Sequence, residues 1–403
     1  MPSAQSNGRL SRRSQVPPFH VMEVMQAASD LEAAGRKVLH LEVGQPATAA
    51  PRGVVAAARK ALDEDVLGYT TALGIAPLRA RISQWYSERY DLDVDPSRIV
   101  ITTGASGSCV LAFLALFDPG DRVGVVEPGY PCYRNDLVTF GVQAIGIPVG
   151  PESSFRPTVE HLEAAGPLDG LVIASPSNPT GTLLRQAELD EILAWAADNG
   201  VDVIVDEIYH GIEYMPDGRA PTALSWASDH AAVNVTVFNS FSKFFSMTGW
   251  RLGWIVAPPH VVVALERLAQ NLTIAPPTLS QIAGVAAFDS VEECESNVDR
   301  YATNRSILLE ALPAAGLGNF APPDGAFYVW VDVSDLLTDE ILDSQALCAH
   351  WLAELAVAVT PGVDFDPVRG GSFVRLSYAT AEADIVEATR RLRDWYEGHS
   401  RSI

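Results

Sequence analysis

Short apolar segments alternate with amphipathic ones through the middle of the chain, which predicts strands connected by helices. Apolar residues at helical spacing mark two helix faces, Leu78, Ile82, Trp85 and Tyr86 in one and Leu189, Ile192, Leu193 and Ala196 in the other. Buried strands are predicted at residues 99–102, 123–126, 171–174, 201–205, 233–238 and 254–257. This rhythm is typical of a mainly parallel sheet covered by helices on both faces.

The pattern changes after about residue 276, where a smaller α+β unit is predicted. Its strands are expected at 327–333 and 373–378, and its helices near 342–359 and 381–396. A helix at 21–34 could join this unit, because chain ends often meet in space. We therefore predict a disordered tail at 1–18, a small domain from 19–50 and 276–403, and a large domain from 51–275.

Charge and composition exclude several kinds of partner. The formal net charge of −22 argues against nucleic acid or an anionic membrane as a partner, since phosphate binding needs a basic surface. The apolar run at 109–117 is far too short to span a membrane. Four scattered cysteines predict neither a disulfide framework nor a zinc site, and they fit a cytoplasmic compartment. The first 22 residues lack acids and have the composition of a transit peptide, but we favour a solvated tail.

Lysine usage directs attention to one position. The chain has three lysines, Lys37, Lys60 and Lys243, against 25 arginines. Lys243 follows the predicted strand at 233–238. A desolvated lysine can lose its proton and condense with a carbonyl, whereas arginine stays protonated. Lys243 is therefore the candidate nucleophile.

Other polar groups follow the predicted strands in the same way. Asn178 comes after the strand at 171–174, and Asp206 ends the next strand, with Tyr209 three residues on. The turn at 104–106 opens a helix, where free backbone N–H groups favour a phosphate. Because ligands of open α/β sheets bind beyond the carboxyl ends of the strands, these groups are expected to meet in one cleft. An aldehyde cofactor with a pyridine ring and a phosphate requires this set of groups.

With these residues in place, the chain resembles the fold type I, pyridoxal 5′-phosphate (PLP)-dependent aminotransferases of the class I/II superfamily. The motifs that carry the resemblance run from Gly44-Gln-Pro46 through Tyr69-Thr, Glu127-Pro-Gly-Tyr130, Ser175–Gly181, Asp206-Glu-Ile-Tyr209, Ser240-Phe-Ser-Lys243 and Gly249-Trp-Arg251-Leu-Gly253 to Phe373-Val-Arg375-Leu-Ser. The resemblance implies an α/β fold in which a mainly parallel seven-stranded sheet, sandwiched by helices, forms the PLP-binding large domain.

The resemblance also implies roles for the residues around the cofactor ring. Lys243 is expected to form the Schiff base and then to move the proton between the substrate α-carbon and the cofactor. Asp206 is expected to pair with the pyridine nitrogen. Tyr209 and Asn178 are expected to hydrogen-bond the ring oxygen, and Tyr130 to stack on the ring.

The cofactor phosphate has its own expected set of residues. The resemblance places it on the N–H groups of Ala105 and Ser106, on Ser240 and on Arg251. Tyr69 in its family position reaches the phosphate of the partner subunit. A homodimer with shared active sites is therefore implied.

Arg375 is the expected ligand of the substrate α-carboxylate, assisted by Asn178 and the backbone of Gly44. An independent argument supports its orientation. Val374 and Leu376 share one face of the predicted strand, so Arg375 points the opposite way.

The implied activity is transfer of an amino group from an L-amino acid to a 2-oxo acid by a ping-pong mechanism. A carbon–sulfur β-lyase on the same scaffold is the first alternative, and a non-catalytic PLP-binding regulator is a distant one. The candidates for lining the substrate pocket are mostly apolar or neutral, which favours a small or hydrophobic side chain: Phe19, His20, Val21, Tyr133 and residues 271–277. Arg134 is the one arginine considered for a second carboxylate.

Two other kinds of site are disfavoured. Gly104-Ala-Ser-Gly-Ser108 has serine where a serine nucleophile elbow needs its final glycine. Asp206, Glu207 and His210 could be imagined as metal ligands, but the eight histidines are scattered and show no HExxH spacing. We predict no metal, and a structural role for His210.

Overall fold

The computed structural model describes residues 10–215, 218–227 and 234–400. Residues 1–9 of the predicted tail, and Val233 at the start of a predicted strand, lie outside the described residues. Within this part of the chain the helices are α1 His20–Ala33, α2 Arg52–Glu64, α3 Ala76–Tyr90, α4 Gly104–Leu116, α5 Pro131–Phe140, α6 Val159–Ala164, α7 Gln186–Asn199, α8 Ala223–Ala227, α9 Pro259–Leu272, α10 Thr278–Val285, α11 Val291–Ala311, α12 Ser344–Leu355 and α13 Glu382–Ser400.

The strands form three sheets. Their bounds are β1 Leu39–His40, β2 Ile99–Thr102, β3 Arg122–Glu127, β4 Gln143–Pro148, β5 Gly170–Ala174, β6 Asp202–Asp206, β7 Val235–Ser240, β8 Gly253–Val256, β9 Tyr328–Asp332, β10 Val357–Ala358, β11 Thr360–Pro361 and β12 Phe373–Ser377. The largest sheet has seven strands in the order β2-β8-β7-β6-β5-β3-β4. Only β8 pairs antiparallel with its neighbours there. The predicted α/β fold class is confirmed.

Strand β4 was not predicted, and its exposure explains why. It pairs only with β3, and of its six residues only Ile147 is buried. The central strands β6 and β7 are buried along almost their whole length, and β2 at the opposite edge is buried throughout. A continuous apolar run therefore marks these buried strands but not β4.

A three-stranded antiparallel sheet, β11-β12-β9, lies in the C-terminal part of the chain, and β1 pairs in parallel with β10. The N-terminal segment therefore meets the C-terminal one. The predicted helix near 342–359 is wrong at its end. Helix α12 stops at Leu355, since Ala356 takes a left-handed conformation with φ 51°, and the following residues form β10.

No helix in the described part of the chain is long and apolar enough to cross a membrane.

Candidate active site

A cleft of about 290 Å³ opens at the carboxyl ends of β5, β6 and β7 and at the first turn of α4. All the predicted site residues except Tyr69 line it: Gly44, Ala105, Ser106, Tyr130, Asn178, Asp206, Tyr209, Ser240, Lys243, Arg251 and Arg375. We call the residues around the large sheet the cofactor wall, comprising Ala105, Ser106, Tyr130, Asn178, Asp206, Tyr209, Ser240, Lys243 and Arg251. The residues from α1 and from the C-terminal part form the substrate wall, comprising Phe19, Val21, Met22, Met25, Phe365 and Arg375.

Lys243 lies in the loop that follows β7, with its amine directed into the cleft. Its Nζ donates a hydrogen bond of 2.6 Å to the carbonyl oxygen of Gly44. Burial, together with the positive charge of Arg375, lowers the pKa of Lys243 to about 8. At pH 7 roughly a tenth of the side chain is therefore a free amine, far more than for an ordinary lysine, and the free amine is the form that a nucleophile or a general base requires.

Asp206 ends β6 and is buried at the base of the cleft. Its Oδ1 accepts a hydrogen bond of 3.0 Å from the N–H of Ile208, and its Oδ2 accepts one from the Tyr133 hydroxyl. Burial raises the pKa of Asp206 to about 6, although the hydrogen bond from Tyr133 opposes this shift. Among the described residues Asp206 forms no ion pair within 4 Å, so the carboxylate lacks a cationic partner.

The first turn of α4 offers an anion site. Gly104 has φ +75°, and a Cβ there would lie 2.8 Å from Nη2 of Arg251, so glycine allows the arginine to approach the helix end. Ala105 and Ser106 contribute unpaired first-turn N–H groups, which together with the helix dipole favour a phosphate. Ser240 and Arg251 border the same end of the cleft.

Arg375 lies on β12, the central strand of the three-stranded sheet, and is 4% exposed. Its Nη1 donates to Oδ1 of Asn178 at 3.0 Å, and its Nη2 donates to the carbonyl oxygen of Glu42 at 2.5 Å. The guanidinium carbon lies 4.4 Å from the ring centre of Tyr328 and 4.8 Å from that of Phe365. The Nε atom is buried and has no partner, which leaves it available to an anionic ligand.

Gly44 and Tyr328 show why the N-terminal segment can approach the cleft so closely. A Cβ at position 44 would collide with the Tyr328 hydroxyl. That hydroxyl lies 2.8 Å from the hydroxyl of Tyr209, so the two phenols form a pair beside Lys243. Only glycine therefore fits at position 44.

Several other candidates lie elsewhere. Tyr69 is 84% exposed, at the surface of this subunit. The His20 ring is 2.8 Å from Glu23 and lines a groove between α1 and α12. Arg134 is held by Glu127 at 2.9 Å and by the Asp364 carbonyl oxygen at 3.2 Å, and it does not line the cleft. Residues 271–277 do not line it either.

The residue pattern did not identify every group that borders the cleft. Tyr133 was expected to line the substrate pocket, but its hydroxyl also donates to Asp206. Tyr328, Phe365 and Met25 were not identified, because buried apolar or aromatic residues look alike in a sequence. His210 is buried and contacts the Tyr90 hydroxyl at 2.6 Å, and burial lowers its pKa to about 3. No group of three metal-ligating side chains occurs in the described ranges.

The donor set fits PLP. Asp206 is a buried carboxylate without a cation, which a protonated pyridine nitrogen would supply. The first turn of α4 at Gly104 suits a phosphate, and Lys243, a lysine with a lowered pKa, lies in the same cleft. Arg375 retains an unpartnered Nε for a carboxylate. The groups of this subunit that the resemblance implies for the cofactor and an amino acid thus lie together in one cleft.

Comparison with known proteins agrees with this geometry. The family model for "Aminotransferase class I and II" matches residues 36–392. The chain is 47% identical over 390 residues to the valine–pyruvate aminotransferase of Mycobacterium tuberculosis, covering 96% of this chain and 98% of that protein. A crystal structure of an aminotransferase from the same organism gives a TM-score of 0.92 at 46% identity, covering 97% of this chain and all of that one.

A more distant solved structure has the same fold. The aspartate aminotransferase of Thermus thermophilus with maleate gives a TM-score of 0.87 at 32% identity, and the match covers 96% of this chain and 99% of that one. The fold and the site thus define a PLP-dependent aminotransferase of fold type I. The chain belongs to the class I and II aminotransferases. The alternatives of a β-lyase and of a non-catalytic regulator are not favoured by these findings.

Proposed function

We propose that this aminotransferase acts on amino acids with small or branched aliphatic side chains, with valine as donor and pyruvate as acceptor. The observation that carries the proposal is the composition of the substrate wall. Phe19, Val21, Met22 and Met25 present apolar surface to the cleft. In a hydrophobic pocket, each buried methyl group of the substrate makes the free energy of binding more favourable.

The arginines near the cleft support the same choice. Among the described residues that line it, the arginines are Arg251 at the anion site and Arg375 on the substrate wall. Arg134, considered for a second carboxylate, is already paired with Glu127. In the described part of the chain, no third arginine thus faces the cleft to bind a substrate's distal carboxylate. The relative named as a valine–pyruvate aminotransferase points to the same substrates.

We propose the following roles for the residues around the cofactor ring. When bound, PLP supplies an aldehyde carbon that takes up the amino group and a ring that withdraws electrons from the substrate α-carbon. Lys243 Nζ takes the proton from that α-carbon, which its lowered pKa of about 8 favours. Asp206 keeps the ring nitrogen protonated. Tyr209 and Asn178 donate hydrogen bonds to the ring oxygen, and Tyr130 packs on the ring.

The phosphate and the substrate carboxylate bind to separate groups. The N–H groups of Ala105 and Ser106, the Ser240 hydroxyl and Arg251 hold the phosphate. Arg375 holds the α-carboxylate, with Gly44 assisting through its backbone. Because donor and acceptor both carry this carboxylate, one arginine can serve both in turn, as the proposed ping-pong mechanism requires.

A homodimer with shared sites is also part of the proposal. Tyr69 and Val66 are exposed, as are Leu272 and Ile274. Ser106 borders both the cleft and a second cavity of about 250 Å³ lined by α4 and α9. A partner's side chain that entered this cavity would reach the phosphate end. Exposed apolar groups of this kind mark interaction surfaces.

Mixing two inactive variants tests the shared site. A hybrid of Lys243→Ala and Tyr69→Ala subunits would contain one site with both residues intact. We expect activity to reappear on mixing after mild dissociation. Failure to recover activity in a hybrid shown to form would contradict sharing through Tyr69.

Two further features complete the proposal. We place the cofactor in a large domain of residues 51–275 and assign 19–50 and 276–403 to a small domain; the pairing of β1 with β10 supports this arrangement.

We also propose a cytoplasmic location, because all four cysteines are free thiols, which a reducing compartment preserves.

A half-reaction screen tests the substrate assignment. Purified holoenzyme is mixed with each amino acid, and the change in the visible absorbance of the lysine-bound cofactor is followed. We expect valine and other small aliphatic donors to react at least about tenfold faster than aspartate. Aspartate as the best donor would overturn the assignment. A parallel assay without a 2-oxo acid should release no ammonia.

A further inference from the structure

Helix α1 begins beside the cleft without a cap of its own. Phe19 occupies the N-cap position with an extended backbone, and its side chain makes no capping hydrogen bond. Serine, threonine, aspartate and asparagine are favoured there because they accept from the free N–H groups of the first turn. The Phe19 ring instead lines the cleft and lies 6.2 Å from the ring of Tyr130. Phe19 therefore contributes to the substrate wall and does not cap the helix.

The missing cap comes from Asp364, far along the chain. Its Oδ1 accepts the N–H of His20 at 3.1 Å, and its Oδ2 accepts the N–H of Val21 at 3.0 Å. Asp364 is 6% exposed, so both hydrogen bonds are shielded from water. A carboxylate at a helix N-terminus also interacts favourably with the helix dipole. Asp364 therefore fixes where α1 starts.

The turn that carries Asp364 is itself anchored to the other side of the cleft. The Asp364 carbonyl oxygen accepts from Arg134 of α5 at 3.2 Å. The carbonyl oxygen of the next residue, Phe365, accepts from the N–H of Gly129 at 3.0 Å, immediately before Tyr130. The Phe365 ring lies against the Arg375 guanidinium. Asp364 thus joins α1 to the turn that packs on the carboxylate-binding arginine.

We propose that Asp364 is a positioning residue for substrate selection, which holds α1 so that Phe19 and Val21 contact the substrate side chain while Arg375 holds the carboxylate. This inference rests on the proposed function, since it assumes an aliphatic substrate side chain at the α1 end of the cleft. Loosening α1 should penalise a substrate whose side chain reaches the substrate wall. It should affect alanine much less, because a methyl group is shorter.

Asp364→Ala and Asp364→Asn test the proposal in half-reactions with valine and alanine. For Asp364→Ala we expect the ratio of kcat/KM for valine to that for alanine to fall roughly tenfold, mainly through the KM for valine. Asp364→Asn retains one acceptor and should show a smaller fall in the same direction, about threefold. A ratio unchanged in both variants overturns the proposal, and if Asp364→Ala does not fold, an unchanged ratio in Asp364→Asn is sufficient.

Asp95→Ala is the control. The Asp95 carboxylate accepts from the N–H of Ser97 at 2.7 Å and so caps the turn Pro96–Arg98, none of whose residues lines the cleft. This variant also loses a carboxylate cap, but it should leave the valine-to-alanine ratio unchanged. An equal fall in both alanine variants would show a general loss of stability and would contradict positioning by Asp364.

Hydrogen exchange separates failure of this inference from failure of the proposed function. In Asp364→Asn, backbone amides of residues 20–25 should exchange faster than in the wild type, whatever the substrate. If the wild type rejects valine, the proposed function fails. The inference is then tested by this exchange and by the ratio of kcat/KM for the best larger donor to kcat/KM for alanine. Unchanged exchange overturns it.

Discussion

The cofactor wall and the substrate wall of the cleft are built in different ways. Asp206 ends a strand of the large sheet, and Lys243 and Asn178 follow strands of the same sheet within a few residues, so short stretches of chain place them. The substrate wall combines the α1 region with Phe365 and Arg375 from the C-terminal part of the chain. Asp364 and His20, which join these parts, are separated by 344 positions in the sequence.

We infer that the cofactor wall governs the chemistry of the reaction and that the substrate wall governs the choice of substrate. The groups that we propose to act on the cofactor are placed by backbone geometry at strand ends. The groups that face the substrate side chain depend on long-range polar contacts between segments. Substrate preference can therefore change through residues that touch no ligand, while the cofactor site stays as it is.

The largest effect is expected on the cofactor wall, from Lys243→Arg. Arginine keeps the positive charge but cannot act as a base or a nucleophile near neutral pH. Turnover should fall by about 10⁴-fold or more. The affinity for pyridoxine 5′-phosphate, which has no aldehyde, should change little, as calorimetry can measure. Substantial retained turnover would overturn the assignment of Lys243.

Arg375→Lys tests the substrate wall. The charge is kept but the two-pronged donor is lost, so kcat/KM should fall by about 10²-fold. The fall should be equal for the amino acid and the 2-oxo acid, because both present the same carboxylate. Steady-state kinetics with each substrate varied in turn measures this. A loss confined to one substrate would show that the two use different clamps.

Tyr133→Phe sharpens the comparison, because Tyr133 is a more distant support of the cofactor wall. Its hydrogen bond lowers the pKa of Asp206, so removal should raise that pKa above about 6. The acid limb of the kcat–pH profile should move to higher pH, and kcat at pH 7 should fall roughly tenfold. Tyr90→Phe, which removes a buried contact to His210 away from the cleft, serves as control. An unmoved acid limb would contradict the role.

The smallest effect is expected at His40, next to the segment that holds Arg375. A hydrogen bond to buried Glu42 is the main cause that raises the pKa of His40 to about 9. The stabilisation is therefore complete below the unfolded pKa of 6.5 and is lost as the pH rises through 9. Since the ring is partly exposed, His40→Gln should lower Tm at pH 6 by only roughly 1–2 °C. The difference in Tm between His40→Gln and the wild type should vanish by pH 10. A difference in Tm that does not change with pH would exclude the ion pair as its cause.

What could be predicted from the sequence follows the same division. The central strands and the groups at their ends were predicted, because continuous apolar runs and local motifs mark them. Strand β4 and the end of α12 were not, since the half-exposed β4 lacks the run and the left-handed Ala356 carries no glycine signal. The link from Asp364 to α1 was not predictable either. Nothing near Phe19 in the chain indicates an acceptor from position 364.

The scarcity of lysine has a practical consequence for surface chemistry. Apart from Lys243, the lysines are Lys37 and Lys60, both exposed and both outside the cleft. Aldehydes and activated esters therefore meet very few competing amines on this protein. Cofactor titrations should give a clean stoichiometry even with excess reagent. Amine coupling to a support should attach the enzyme at a few defined points and leave the cleft open.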